Sequence, residues 1–247
     1  MEYNEVIAQL KSLAKPENIA GMARFGINPD NTLGIFIYEL RKIAKKIGVD
    51  HKLAQKLWKS GIHEARLLAG FIDDAEMVTE KQMEDWVKDF DSWDICDQVC
   101  SNLFDKTEFA YKKAFEWSER AEEFVKRAGF VLMAALAVHD KEASDEKIME
   151  FLPIIMREVG DDRNYVKKAI NWALRQIGKR NRNLNAKAIE TAEEIKKIKL
   201  KSARWIASDA IRELTSEKVQ EKLRTHDLDN LPKEKRLDSC FRRNDIV

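Results

Sequence analysis

Trp93 and Asp97 stand four residues apart in a segment whose apolar positions, Ile95, Val99 and Leu103, repeat at helical spacing. That spacing stacks the indole and the carboxylate one turn apart, on a flank away from the apolar stripe. A carboxylate so placed can stabilise a developing positive charge or position a water. The plainer reading is a surface acid in an acid-rich segment, with Trp93 in the core. A second displaced tryptophan, Trp172, shares a face with Lys168, Arg175 and Lys179, opposite Val166, Ala169, Ile170, Ala173, Leu174 and Ile177. Such a tryptophan can touch nucleic acid while the cations take phosphates, or it can pack under a neighbouring helix. Arg127 precedes the apolar run Ala128–Val138. It can pair with an acid, hold a phosphate at a rim, or snorkel at a helix end.

The net charge of +1 conceals a segregation. From Asp73 to Asp97 the acids Asp73, Asp74, Glu76, Glu80, Glu84, Asp85, Asp89, Asp91, Asp94 and Asp97 face only Lys81 and Lys88. From Arg163 to Ile189 there is no acid, while Arg163, Lys167, Lys168, Arg175, Lys179, Arg180, Arg182 and Lys187 accumulate. An acid-free basic stretch is a footprint for a polyanion, although a solvated helix face is its bland equivalent.

Other classes of chemistry find no support. Cys96, Cys100 and Cys240 form no zinc pattern, and Cys96 and Cys100 sit near a core stripe as small packing residues. His63-Glu64 lacks the second histidine of a zinc-protease helix, and no phosphate-binding glycine loop or nucleophile elbow is present. Sparse, odd-numbered cysteines suit a reducing cytoplasm. The first fifteen residues lack a signal-peptide apolar run, and no stretch approaches the roughly 20 apolar residues of a membrane span.

The elements that must position these side chains are helical throughout. Nine glycines and four prolines are too few for a turn-rich sheet protein of 247 residues. Apolar periodicity starts at Ile7, Leu10 and Leu13, and runs through Leu40–Ile47 to a stop at Gly48. Helices are predicted over His51–Lys59 and Ile62–Ile72, then from a Thr79–Gln82 capping box to Asp89. Further ones follow over Ser92–Leu103, Glu108–Trp117, Glu119–Val138, Asp145–Val159 and Arg163–Lys179. Asn185–Ile198, Ser202–Leu214 and Glu217–Leu223 complete the series. Many short helices on short links imply an all-α solenoid of degenerate HEAT-like antiparallel pairs, with a compact irregular helical domain as the alternative. Residues 1–224 form one domain on this reading, and 225–247 a flexible polar tail in which Cys240 is incidental.

The chain resembles the AlkD-type DNA alkylation repair glycosylases, which are built from HEAT-like repeats. The resemblance rests on GMARFGI (Gly21–Ile27), ELRKIAKKIG (Glu39–Gly48) and LAQKLWKSGIHEARLLAGFIDD (Leu53–Asp74). It continues in SWDICD (Ser92–Asp97), KRAGFVL (Lys126–Leu132) and YVKKAINWALRQIGKRN (Tyr165–Asn181). SWDICD and KAINWALRQIGK are the specific pieces.

The resemblance implies hydrolysis of the N-glycosidic bond of cationic N3- and N7-alkylated purines in duplex DNA, on a concave face. It implies that Trp93 and Trp172 cradle the damaged nucleotide, that Asp97 stabilises an oxocarbenium-like sugar and aligns water, and that Arg127 holds a backbone phosphate. Phe25 stands where the family often has tyrosine, keeping the aromatic contact without the hydroxyl. Lys168, Arg175, Lys179, Arg180 and Arg182 are the expected phosphate contacts. A monomer is implied, with no metal, organic cofactor or obligate protein partner, and without insertion of the base into a deep pocket. Two alternatives remain: a solenoid that binds distorted or branched DNA without cleaving a bond, and a helical scaffold for a protein.

Overall fold

The computed structural model describes residues 1–229, with side chains through Thr225, and all regular structure among the described residues is helical. Helices α1 (Tyr3–Ser12) and α2 (Pro16–Arg24) lead through a non-helical segment to α3 (Ile37–Ile47), α4 (His51–Lys59) and α5 (His63–Ile72). Next come α6 (Glu80–Lys88), α7 (Trp93–Asn102), a 3-10 turn (Phe104–Lys106), α8 (Ala110–Ser118) and α9 (Glu123–His139). The rest are α10 (Asp145–Met149), α11 (Phe151–Glu158), α12 (Asn164–Gly178), α13 (Arg182–Lys197), α14 (Lys201–Leu214) and α15 (Glu217–Asp229). Residues 230–247, with Cys240, lie outside the described range. No described helix is long and apolar enough to cross a membrane.

Two layers run through the chain. Helices α3, α5, α7, α9, α12 and α14 pack one on the next as an inner row. Behind them α4 packs on α5, α8 on α9, α11 on α12 and α13 on α14. This is the α-solenoid of HEAT-like pairs that the sequence predicts. The apolar run of α9 is buried between α7, α8 and α12, as a helix without a polar face must be. Gly129 lets α8 approach: a Cβ there would lie 2.5 Å from the Ser118 nitrogen.

The helices depart from the predicted ones for identifiable reasons. α2 escapes periodicity because it buries no residue. The predicted Asp145–Val159 helix divides after Met149, because Pro153 has no N–H to bond that residue's carbonyl. α13 starts at Arg182 rather than Asn185, capped by Asn181, whose side chain accepts from the Leu184 N–H at 2.9 Å. Only half of the Thr79 capping box forms: Thr79 Oγ1 accepts from the Gln82 N–H, while the Gln82 amide donates to Asp73 at 2.6 Å. α15 continues to Asp229, past the predicted end at Leu223.

The acidic segment is mostly consumed internally. Glu80 and Glu84 surround Lys113, which is 3% exposed, and Asp73 joins His51 and Gln82. Trp58 and Trp86 stack with ring centroids 4.0 Å apart, and Phe104 and Trp117 extend the column. Asp89 and Glu84 accept the indole N–H groups of Trp58 and Trp117.

The segment between α2 and α3 is fixed by Glu64, a fully buried carboxylate on the first turn of α5. It accepts the backbone N–H groups of Leu33 (2.8 Å), Gly34 (2.7 Å) and Ile35 (3.1 Å). Gly34 has φ +79°, and a Cβ would sit 2.2 Å from the Lys15 carbonyl oxygen, so this turn requires glycine. Glu64→Gln replaces one acceptor oxygen with a donor facing donors. It is expected to lower unfolding stability by about 1–3 kcal/mol, read as a lower urea midpoint at unchanged slope.

Candidate nucleic-acid interface and active site

A groove of about 1380 Å³ opens on the inner row, floored by α7, α9 and α12 and flanked by α2 and the turn that follows it. Trp93, Asp97, Arg127 and Trp172 all line it. The four residues come from three separate helices. The succession of α7, α9 and α12 as neighbours in one layer brings them together.

At the floor, Arg127 grips Asp97 with two parallel bonds: Nε donates to Oδ1 at 2.9 Å and Nη2 to Oδ2 at 2.8 Å. Its Nη1 donates to the Tyr165 carbonyl at 2.6 Å, so one guanidinium ties α9 to both α7 and α12. Side-chain exposure is 7% for Arg127 and 14% for Asp97. Burial pushes the Asp97 carboxyl above the usual aspartate value, while Arg127 pulls it back. Burial likewise opposes the Arg127 charge, but Asp97 holds that guanidinium above its ordinary value. The forked geometry, two N–H donors facing two carboxylate oxygens, is that of a guanidinium–carboxylate ion pair. Each carboxylate oxygen keeps a second lone pair for a ligand.

The tryptophans flank this pair, partly exposed. Trp93 Nε1 donates to the Phe25 carbonyl at 2.9 Å, which fixes the ring and pins the turn after α2. Phe25 projects its own ring into solvent, 77% exposed, at the groove edge. Gly26, at φ +80°, leaves room for Tyr165, whose hydroxyl would lie 1.8 Å from a Cβ there.

The family model for DNA alkylation repair enzymes matches residues 6–214. The chain belongs to this family. Among solved structures, one is described as from a new family related to the HEAT-like repeat DNA glycosylases, with affinity for branched DNA structures. It is 22% identical, with a TM-score of 0.72 over 86% of this chain and 95% of that one, and shows the shared fold. A designed armadillo repeat protein bound to a (KR)4 peptide is 16% identical, covering 81% and 87% of the two chains at a TM-score of 0.39. An engineered protein is 14% identical, covering 81% and 98%, at a TM-score of 0.36. No curated protein matches the chain closely enough to count as a relative.

In this family member only part of the basic stretch lines the groove. Phe25, Lys168 and Arg175 line the groove. Arg175 also pairs with Glu213, and Lys179 pairs with the same carboxylate outside the groove. Arg180 closes the C-terminal end of α9 instead, donating to the carbonyls of Ala137, Lys141 and Ala143. Arg182 begins α13, in the outer layer, and is not among the residues lining the groove. Arg127 faces Asp97 and Tyr165 in this structure, where a phosphate contact was expected.

Tyr165, Asn164 and Arg24 also line the groove and were missed from sequence. Tyr165 was findable: it lies two turns before Trp172, on the face that carries Lys168 and Arg175. Arg24 lies on the unburied α2, so no periodicity could mark it.

Asp94 anchors the start of α7. It accepts from Ser92 Oγ at 2.7 Å and bonds His63 Nε2 at 2.9 Å. Burial opposes the His63 charge, but Asp94 outweighs it and raises His63 above 6.5. Burial also opposes the Asp94 charge, yet His63 brings its carboxyl below 3.8. The His63 contribution is full below 6.5 and fades as pH rises through its folded value. The Asp94 contribution is full above 3.8 and fades as pH falls through its folded value. Asp94→Asn is therefore expected to cost about 1–3 kcal/mol between those limits and less at alkaline pH, measured by urea unfolding across pH.

Proposed function

We propose that this protein is a DNA glycosylase that hydrolyses the N-glycosidic bond of cationic N3- and N7-alkylated purines in duplex DNA. The observation that carries this reading is the part-buried Asp97 carboxylate on the groove floor, with two partly exposed tryptophans lining the same groove; the other acid of the lining, Glu17, is exposed on α2 at its bank. A carboxylate repels phosphates, so in a DNA groove its task is toward positive charge. The alkylated purine is already cationic and leaves without an added proton. The C1′–N bond breaks with its electron pair departing on the purine, which becomes neutral. Positive charge then develops on the sugar, where Asp97 stabilises it through its free lone pairs. The oxygen of a water adds at C1′, its proton passes to Asp97 and on to solvent, and an abasic sugar remains.

Arg127 offsets part of the effect of burial on Asp97 and fixes the plane of its carboxylate. Trp93 and Trp172 form walls against which the sugar and backbone of the damaged nucleotide rest. Arg24 and Lys168 line the groove without a carboxylate partner among the described residues and supply phosphate contacts. The DNA enters as a monomer's ligand, and the reaction requires no cofactor on this reading.

A second reading is a binder of branched DNA that breaks no bond. It is favoured by the occupation of both Asp97 oxygens by Arg127, and by the branched-DNA affinity stated for the structural neighbour. The deciding measurement is release of 7-methylguanine from methylated duplex DNA by the purified protein. Release should fall about a hundredfold or more in Asp97→Asn, with duplex affinity retained and folding checked by circular dichroism. Wild-type protein that binds tightly and releases nothing would assign it to the second reading. Trp172→Ala should impair release more than binding to undamaged duplex; equal loss of both would remove Trp172 from the lesion site.

A further inference from the structure

Three consecutive residues at the start of α3, Phe36, Ile37 and Tyr38, are exposed at 48%, 37% and 51%. Burying such side chains would stabilise the fold, so a row of them on the surface calls for a ligand. Phe36 and Tyr38 stack on each other, with centroids 5.7 Å apart and ring planes 13° from parallel. Lys15 Nζ lies 6.0 Å from the Phe36 centroid and Lys42 Nζ lies 5.2 Å from that of Tyr38. Phe36 also lines the groove, so the pair continues the groove's edge onto the N-terminal end of the inner row.

The surrounding charge selects the occupant. From Leu40 to His63 the chain holds Arg41, Lys42, Lys45, Lys46, Lys52, Lys56 and Lys59 against the single acid Asp50. Glu39 pairs with Lys42, but Lys15, Lys45 and Lys46 have no carboxylate partner among the described residues. An unmatched Lys15 beside the Phe36 ring, with the unmatched Lys45 and Lys46 about two turns further along α3 from Tyr38, matches a nucleotide strand with its bases unpaired. Phosphates meet the ammonium groups and a base lies on a ring face. A base inside a duplex has both faces covered by its neighbours and cannot use the platform.

We infer that Phe36 and Tyr38 form a stacking platform for an unpaired base, on a strand that leaves the duplex at the edge of the groove. The inference rests on the groove's being a DNA site, and it adds a single-stranded segment to what the protein holds.

The test compares a blunt duplex with the same duplex carrying a single-stranded extension, by fluorescence anisotropy, with 2-aminopurine placed in the extension. Wild-type protein should bind the extended substrate about tenfold more tightly and quench the 2-aminopurine. Tyr38→Ala should abolish both effects while leaving blunt-duplex affinity unchanged, and Tyr38→Trp should restore them. Equal affinity for the two substrates would overturn the platform and leave the groove reading intact. Binding of the single strand alone that depends on Tyr38, without duplex binding, would keep the platform and remove the groove reading. A dimer that dissociates in Tyr38→Ala, seen by sedimentation without preference for the extension, would assign the patch to a second copy and overturn the inference.

Discussion

The bidentate ion pair between Asp97 and Arg127 is the interaction on which the site depends. Its members come from adjacent inner helices, and the third arm of the guanidinium reaches a backbone carbonyl on the next. Charges removed from water are costly, so a carboxylate this buried must be matched or neutralised. Arginine matches it with a planar fork, which also fixes the direction of the remaining lone pairs. The solenoid supplies what the pair requires: stacked helices hold the two residues at bonding distance though thirty positions separate them. The same pair that makes a charged floor possible also ties α7, α9 and α12 at the point where the tryptophans project.

Around that floor, buried polar contacts do the positioning. Glu64 fixes the segment before α3 through three backbone amides, and Asp94 with His63 holds the first turn of α7. Both belong to residues that looked unremarkable in the sequence, a histidine-glutamate pair without a metal motif and one acid among many. Their role is to orient backbone, and such roles leave little trace in composition.

The layer architecture was readable because inner helices have to bury stripes at regular spacing, as Leu40, Ile43 and Ala44 do. Trp93, Asp97 and Trp172 could be separated from those stripes by angle alone. Their convergence could not, because helical angle says nothing about which helices become neighbours; the family resemblance supplied that link. Charge counting misled in one respect. Arg175, Lys179 and Arg180 lie in an acid-free stretch of sequence, yet Glu213 and the carbonyls at the end of α9 engage them in space. Sequence proximity of like charge does not establish that the charge is free. The tryptophans make the same point: Trp58, Trp86 and Trp117 are structural, while Trp93 and Trp172 border the groove.

α2 buries none of its residues, and polar tethers hold it and its flanking turns: Lys15 to Leu33, Asn18 to Gly34, and Trp93 to Phe25. The hydrophobic core that makes the repeats cooperative therefore does not extend into this bank of the groove. Local opening there breaks a few hydrogen bonds and exposes only half-buried apolar side chains such as Ile19 and Met22, so it belongs to the low end of the amide-exchange hierarchy. One bank of the groove is thus attached to the solenoid chiefly through polar contacts, while its floor is part of the packed core of the stacked helices.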